Sequence, residues 1–166
     1  VLFGIYLIGV VVLLSKFLQN IWKIAIAIRE SKQSKILGAR VLQHPKMPTS
    51  TFFNILFWQD NPSHNHEKIN AILVHEETHA RQWHSSDVIL MKIMTALQWF
   101  NPICKYLSRE LCLQHEYIAD RATVKRLGNV NDYAKILVEN TSVRKSSLPL
   151  NFFESFTKKR LSLLKF

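Results

Sequence analysis

The chain has 166 residues, of which 48% are hydrophobic and 20% are charged, a composition that excludes a disordered tail and suits a folded chain with an apolar core. Its net charge of +10 would fit a nucleic-acid-binding protein, but the basic residues are not spread evenly. Seven of them lie between Lys16 and Lys46 with Glu30 as the only acid, directly after an uncharged segment. This arrangement is typical of the cytoplasmic end of a membrane helix, so we predict a membrane protein that does not bind nucleic acid directly.

The uncharged opening, VLFGIYLIGVVVLLS, is short for a membrane span. Residues 1–15 would form about 22 Å of helix, against a hydrocarbon core of roughly 30 Å. A span that ends near Trp22 is long enough if the side chain of Lys16 reaches the headgroups. The charges follow the apolar run, which does not fit a signal peptide, and a buried core helix is the alternative. Because the chain starts without Met, we expect a fragment that begins inside or at the edge of this helix.

Two short strands and a series of helices are predicted after the opening helix. The strands are ARVLQH and STFFNILFW, separated by HPKMPTS, and the second could hold a peptide substrate at the edge of a sheet. Glycine is scarce, with four in the chain, so we expect few tight hairpin turns and mostly helix. The predicted helices cover residues 67–83, 86–100, 102–127, 132–139 and 155–164. The expected fold is mainly α with a small β-sheet (α+β), divided into a transmembrane helix with its cytoplasmic flank (1–28), a connector with short strands (29–60) and a helical domain (61–166).

The apolar segment VILMKIMTALQWF raises the question of a second membrane span. It contains Lys92 and Gln98, it is followed closely by Pro102, and it offers only about 13 residues. That length suits a core helix or a membrane-surface helix better than a span. We therefore expect a helix that is buried against the helices of the candidate metal site described below and that contacts the bilayer on one side at most.

The segment HEETH contains a candidate metal site. His75 and His79 are four residues apart, which places two imidazoles on one face of a helix, and Glu76 follows the first of them. In the HExxH arrangement the two histidines bind zinc and the glutamate takes a proton from the zinc-bound water. The alternative is an ordinary polar helix face, because catalytic zinc normally needs a third protein ligand as well.

Glu116 is the best candidate for that third ligand, 37 residues after His79 in the segment QHEYIADRA. Asp120 lies four residues later on the same helix face, where it could orient the free imidazole nitrogen of a ligand histidine. Apolar residues surround both acids, and buried acids favour a nearby cation. We expect no metal role for two other histidines near these motifs, with His84 at the surface and His115 in a structural position.

Three segments in this order, HEETHARQWHSSD, LQWFNP and HEYIADRA, resemble the BlaR/MecR family of membrane zinc metallopeptidases. The resemblance extends over nearly the whole chain, from the opening helix through TSTFFN to NDYAKILVE and FTKKRLSLL. It implies one zinc ion per chain with three protein ligands, His75, His79 and Glu116. It also implies that Glu76 is the general base, that Asp120 is an acid behind the ligands, and that Asp87, in HSSD, orients a ligand histidine.

The function that the resemblance implies is that of a membrane-anchored zinc metalloendopeptidase. Its substrates would be proteins or peptides, cleaved in regulatory signalling by self-cleavage or by cutting a regulator such as a repressor. The peptidase site would lie on the cytoplasmic side of the bacterial cytoplasmic (inner) membrane, anchored in the lipid bilayer, and homo-oligomers could form through membrane helices. Residues 1–166 include no penicillin-binding sensor domain, so the resemblance does not extend to β-lactam recognition. Two alternatives stay open: a zinc-containing signalling module without proteolytic activity, and a basic membrane-surface adaptor without metal.

Overall fold

The computed structural model describes residues 1–45, 47–61, 65–144 and 150–164, and it describes their side chains outside 140–144 and 150–156. The helices are α1 (Leu2–Glu30), α2 (His66–Arg81), α3 (His84–Leu97), α4 (Pro102–Leu127), α5 (Val130–Arg144) and α6 (Leu150–Leu163). The strands are β1 (Lys32–Ile36), β2 (Ala39–Gln43), β3 (Ser50–Phe52) and β4 (Ile55–Trp58). The described chain is therefore mainly helical with one small mixed sheet, which confirms the predicted α+β class.

The sheet has the strand order β1-β2-β4-β3, in which β2 and β4 are parallel and the two outer pairs are antiparallel. Strand β1 is missing from the predicted elements, because its sequence KQSKI is largely polar and shows no hydrophobic alternation. Leu37 and Gly38 connect β1 to β2 with φ angles of 47° and 85°, the signs that a type I′ turn requires. This hairpin and the one at Phe53 are the two tight hairpins among the described strands, which agrees with the expectation that such turns are few.

The segment STFFNILFW forms two strands rather than the single strand predicted. The chain reverses at Phe53, whose φ is 51°, so that Phe52 pairs with Ile55 across a second hairpin. Strand β4 lies in the interior of the sheet, with Phe57 and Trp58 buried, so of these two strands β3 alone lies at an edge. The predicted edge strand for a peptide substrate is thus reduced to residues 50–52.

The helices lie close to the predicted positions. Asn65 caps α2, because its side-chain oxygen accepts the backbone N–H of Lys68 at 2.9 Å. Helix α4 begins at the proline after Asn101, whose side-chain oxygen accepts the N–H of Ile103 at 3.0 Å, and it ends before Gly128 as predicted. Helices α5 and α6 are longer than predicted.

The chain divides into two compact units, one formed by Val1–Asp60 and Ala80–Cys112 and the other by Asn61–His79 and Leu113–Phe166. The first unit contains α1, the four strands, α3 and the first part of α4. The core of the second unit is a buried cluster with further apolar side chains packed against it: Ala71, Tyr133, Leu137 and Leu164, with Val124, Leu127, Ile136 and Leu161 around them. The predicted domain boundaries after residues 28 and 60 stay a prediction.

Helix α1 is 29 residues long and is the one helix among the described residues that is long and apolar enough to cross a membrane, which suggests membrane anchoring. Helix α3 is less buried than predicted, since among its residues only His84 and Ala96 are buried. Leu90, Met94 and Leu97 are exposed together on one side, where the prediction allowed contact with the bilayer. At its start, His84 is only 5% exposed, so the predicted surface position of this histidine is wrong.

Candidate metal centre

Helix α2 carries both histidines of the HEETH segment on one face. The Nε2 atoms of His75 and His79 lie 3.2 Å apart, and their ring centroids lie 4.9 Å apart. Both side chains are mostly removed from solvent, with exposed fractions of 12% and 16%. The four-residue spacing accounts for this convergence, because it corresponds to about one helical turn.

Glu116 of α4 joins the two histidines in a group of three possible metal ligands. Its carboxylate oxygens lie 3.4 Å from His75 Nε2 and 3.8 Å from His79 Nε2. Tetrahedral nitrogen and oxygen ligands at the usual zinc distances would lie about 3.3 Å from one another. The three separations between the ligand atoms, 3.2, 3.4 and 3.8 Å, are therefore compatible with a single zinc ion. Imidazole and carboxylate are also donor types that zinc accepts.

Asp120 lies one helical turn beyond Glu116 and is fully buried. Its Oδ1 atom lies 3.2 Å from Nδ1 of His75, on the other side of the imidazole from Nε2. A carboxylate at Nδ1 favours the tautomer that carries its proton there, which leaves a lone pair on Nε2. Asp120 therefore contacts the imidazole of His75, and its role in orienting a ligand histidine stays a prediction.

Two residues that the sequence did not single out also contact this group. The hydroxyl of Tyr133 donates to Asp120 Oδ1 at 2.7 Å and lies 3.0 Å from His75 Nδ1. Arg160 donates from Nε to Asp120 Oδ2 at 2.8 Å and from one terminal nitrogen to Asp120 Oδ1 at 2.6 Å. Its other terminal nitrogen lies 2.8 Å from Glu116 Oε2. One guanidinium therefore pairs with two carboxylates that are largely removed from water.

Helix periodicity is the signal that could have identified these two residues. Arg160 lies four residues before the buried Leu164 and so shares the inward face of α6, whereas the two lysines before it are exposed. Tyr133 likewise lies four residues before the buried Leu137. Neither arginine nor tyrosine belongs to the HExxH motif, so nothing in the spacing connects them to the histidines.

These contacts raise the pKa of one histidine of the cluster, whereas the pKa of the other histidine and those of the two acids are lowered. Burial alone would lower the pKa of His75, but its hydrogen bonds with Asp120 and Glu116 outweigh burial and raise that pKa to about 9. Burial, reinforced by the positive charge of His75, lowers the pKa of His79 to about 4. Burial would raise the pKa of both acids, but hydrogen bonds with His75 and the charge of Arg160 hold the pKa of Glu116 and of Asp120 below the ordinary range. Near neutral pH these shifts favour, in the metal-free protein, a protonated His75, a neutral His79 and ionised carboxylates on Glu116 and Asp120.

Glu76 and Asp87 complete the predicted set of site residues. Glu76 follows His75 on α2 and is 8% exposed, so its carboxylate is largely shielded from bulk water. Asp87 lies in the first turn of α3 and belongs to the other compact unit. Its role in orienting a ligand histidine stays a prediction.

Comparison with known protein families matches residues 14–164 to the family described as BlaR1 peptidase M56. The matched range includes the HEETH and HEYIAD segments as well as the positions of Tyr133 and Arg160. Neither the curated proteins nor the solved structures contain a match to this chain. The family assignment indicates a membrane-associated, metallopeptidase-like signalling protein that acts on protein substrates. Since the match extends over most of its length, the chain belongs to the BlaR1 peptidase M56 family.

Proposed function

We propose that this protein is a zinc metalloendopeptidase that α1 anchors in the membrane. The observation that carries the proposal is the convergence of His75, His79 and Glu116, whose ligand atoms all lie within 4.8 Å of one another. Family membership supports a peptidase, and the HExxH pattern on α2 supports the zinc-dependent type.

In the proposed site, His75, His79 and Glu116 would hold one zinc ion, which supplies Lewis-acid activation of a water molecule and of a substrate carbonyl. Asp120 keeps the proton of His75 on Nδ1, so that Nε2 is available as a ligand. Arg160 balances the negative charge of the two carboxylates that α4 brings into the protein interior.

Glu76 is the proposed general base. Its carboxylate accepts a proton from the water molecule that attacks the peptide carbonyl, and it returns a proton to the nitrogen of the leaving amine. Its position directly after His75, together with its burial, supports this role, because a base must lie beside the reacting water and away from bulk solvent.

The proposed substrate is a protein or peptide in a signalling pathway, cleaved either within the same chain or in a separate regulator such as a repressor. Family membership supports this class of substrate. We assign the site to the cytoplasmic side of the bacterial inner membrane, because the basic residues follow the uncharged part of α1 and positive flanks favour that side.

Substitution of the base tests the proposal, and the neighbouring residue provides a matched control. Glu76→Gln removes the proton acceptor, whereas Glu77→Gln alters a side chain that is 50% exposed and contacts Arg126. The full chain and both variants are purified in detergent without chelators, and their zinc content is measured together with self-cleavage and cleavage of fluorescently labelled casein. We expect about one zinc per chain in all three proteins, with cleavage reduced by roughly 10²–10⁴-fold only in Glu76→Gln.

Two outcomes would contradict parts of this proposal. Equal cleavage by Glu76→Gln and Glu77→Gln would show that Glu76 is not the general base. Full zinc content without any cleavage by the unsubstituted chain would favour the alternative of a proteolytically silent zinc module.

A further inference from the structure

Helix α3 exposes an apolar stripe on its outer side. Leu90, Met94 and Leu97 are 59%, 39% and 39% exposed. Their spacing places them within about 60° of one another around the helix, and it places Lys92 on the opposite side. Grouped apolar side chains that face away from the protein interior indicate a surface that something other than water covers.

The exposed apolar side chains continue beyond the end of α3. Four further residues are between 51% and 65% exposed, namely Phe100, Ile103, Tyr106 and Leu107. The three on α4 span about 100° of that helix, whereas Lys105 and Arg109 lie on its other side. Residues 90–107, here called the α3–α4 corner, therefore expose apolar side chains on both helices and at the bend between them.

The α3–α4 corner packs beside the uncharged part of α1. Gly9 lies so close to the indole of Trp99 that an added Cβ atom would come within 2.5 Å of the indole Nε1. The same indole N–H donates to the carbonyl oxygen of Tyr6 at 3.4 Å, and the ring of Phe100 meets the ring of Tyr6 edge-on with 6.2 Å between centroids. Residues 99 and 100 are thus level with residues 6–9 of α1.

Helices α1 and α3 run in opposite directions, and each carries its first charged residue towards the end that is nearer to the sheet. Helix α1 leads into β1, and α3 begins beside the sheet, where Ser85 accepts a backbone N–H from the β3–β4 turn at 2.8 Å. Lys16 and Lys92 each lie seven residues, or about 10 Å, from the contact between Gly9 and Trp99. The uncharged zone therefore ends at a similar level on both helices.

The polar groups at the α3–α4 corner hydrogen-bond to one another. The side-chain oxygen of Gln98 accepts from the amide of Asn101 at 3.1 Å and from the thiol of Cys104 at 3.3 Å. The backbone N–H of Asn101 donates to the carbonyl of Gln98 at 2.9 Å, and Asn101 in turn accepts the N–H of Ile103. Pro102 has no N–H to satisfy. A chain break inside hydrocarbon needs such internal pairing, because no water is available there.

We propose that the α3–α4 corner is inserted into the acyl chains of one bilayer leaflet, beside α1 and from the side on which Lys16 lies. Phe100 is level with Tyr6, which lies ten residues or about 15 Å beyond Lys16, and this distance is roughly half of the hydrocarbon thickness. The corner does not reach beyond the middle of the bilayer, because α3, with 14 residues, is too short to span it and because the charged Lys105 follows the bend. The corner thus acts as a second membrane contact.

The continuity of the corner with α1 favours lipid as the covering material. Exposed apolar residues of α1, including Ile8, Val11 and Val12, lie at the same level as the corner, and a helix that meets acyl chains there brings its packed neighbour into contact with them as well. The inference rests on the proposed anchoring by α1, and it does not depend on the zinc site.

Spin labelling of the full chain in vesicles of phosphatidylcholine and phosphatidylglycerol tests the proposal. Both native cysteines are replaced by serine, and single cysteines are introduced at Leu90, Met94 and Leu97. Lys92→Cys is the matched control on the opposite side of α3, and Val11→Cys reports on the exposed face of α1. Collision rates of each nitroxide with oxygen, which concentrates in hydrocarbon, and with a water-soluble nickel complex give its depth.

We expect oxygen to dominate at Val11 and along the stripe, with depth increasing by about 10 Å from Leu90 to Leu97, and we expect nickel to dominate at Lys92. Nickel accessibility at Leu97 would overturn the proposal. If Val11 still reports lipid, only the corner insertion fails; if Val11 reports water, the anchoring by α1 fails too. Low accessibility to both reagents at Leu97 would show that protein covers the stripe, which also overturns the proposal, and dipolar broadening would identify a second copy of the chain.

Discussion

Arg160 is the residue whose removal tests most clearly how the site is held together. Its guanidinium makes contacts at 2.8, 2.6 and 2.8 Å with the carboxylates of Asp120 and Glu116. The side chain of Arg160 is 12% exposed and that of Asp120 is 1% exposed, so water cannot replace the two contacts with Asp120. Arg160→Met retains much of the aliphatic stem but leaves Asp120 without the cation that binds both of its oxygens.

The expected effect on stability is large. Removing one partner of a buried ion pair lowers the free energy of unfolding by about 3–5 kcal/mol. In a protein of this size each kcal/mol corresponds to about 2–4 °C in melting temperature. Circular dichroism during heating of the chelator-treated protein in detergent should therefore show a decrease of about 6–20 °C for Arg160→Met. Arg160→Lys should give a smaller decrease, because lysine keeps the charge but lacks the planar fork that binds two oxygens.

Arg126 provides the matched control in the same unit. It pairs with Glu77 at 3.2 Å, but the two side chains are 61% and 50% exposed. Such surface pairs contribute below about 1 kcal/mol, so Arg126→Met should change the melting temperature by less than about 4 °C. Equal decreases for Arg160→Met and Arg126→Met would refute the reasoning, because burial of the pair would then have no effect on its contribution.

Three further predictions follow from named contacts. Gly9→Ala should lower the melting temperature by about 2–12 °C because the added methyl displaces the ring of Trp99, whereas Gly4→Ala, which meets no atom within 4 Å, should not lower it. The pKa of His75 is raised from 6.5 to about 9, so its stabilising contribution to the metal-free protein is complete below pH 6.5 and is lost as the pH rises through 9. The melting temperature of the chelator-treated protein should therefore fall between pH 6.5 and pH 9, and His75→Gln should make it depend less on pH in this range. An equally steep fall in His75→Gln would contradict the assignment of this pH dependence to His75. Tyr133→Phe should weaken zinc binding by roughly 10–100-fold in competition with a chelating dye, because it removes the hydroxyl that contacts Asp120 and His75; unaltered affinity would count against a positioning role.

The candidate ligands could be predicted because each pair is local in sequence. The four-residue spacing on α2 aligns His75 with His79, and the same spacing on α4 aligns Glu116 with Asp120. Helix geometry alone does not bring α2 and α4 together. That step rests on the apolar surroundings of Glu116 and on the resemblance to a family, and the distances between the three ligand atoms agree with it.

Tyr133 and Arg160 could not be assigned to the site in the same way, because they reach it through the packing of α5 and α6. In the segment FTKKRLSLL, helix periodicity places Arg160 rather than the two lysines on the inward face, but only the tertiary structure shows that this face meets Asp120 and Glu116. Strand β1 shows the same limitation, since its pairing with β2 rather than its own hydrophobic pattern makes it a strand.

The apolar stripe of α3 shows a further limit of composition. The apolar side chains of this helix indicate that it avoids water, but they do not indicate whether protein or lipid covers it. The sequence predicts a mostly buried helix with bilayer contact on one side at most, and the structure leaves Leu90, Met94 and Leu97 exposed on one side.

Metal content is the measurement that tests the central claim most directly. The detergent-purified chain, prepared without chelators, is compared by mass spectrometry with Glu116→Ala and with Glu110→Ala, a control that removes another acid from α4. We expect about one zinc per chain in the first and third proteins, and loss of most zinc in Glu116→Ala, because two histidines alone leave the site without its third protein ligand. Absence of zinc from the unsubstituted chain, or equal zinc content in Glu116→Ala and Glu110→Ala, would contradict the three-ligand site.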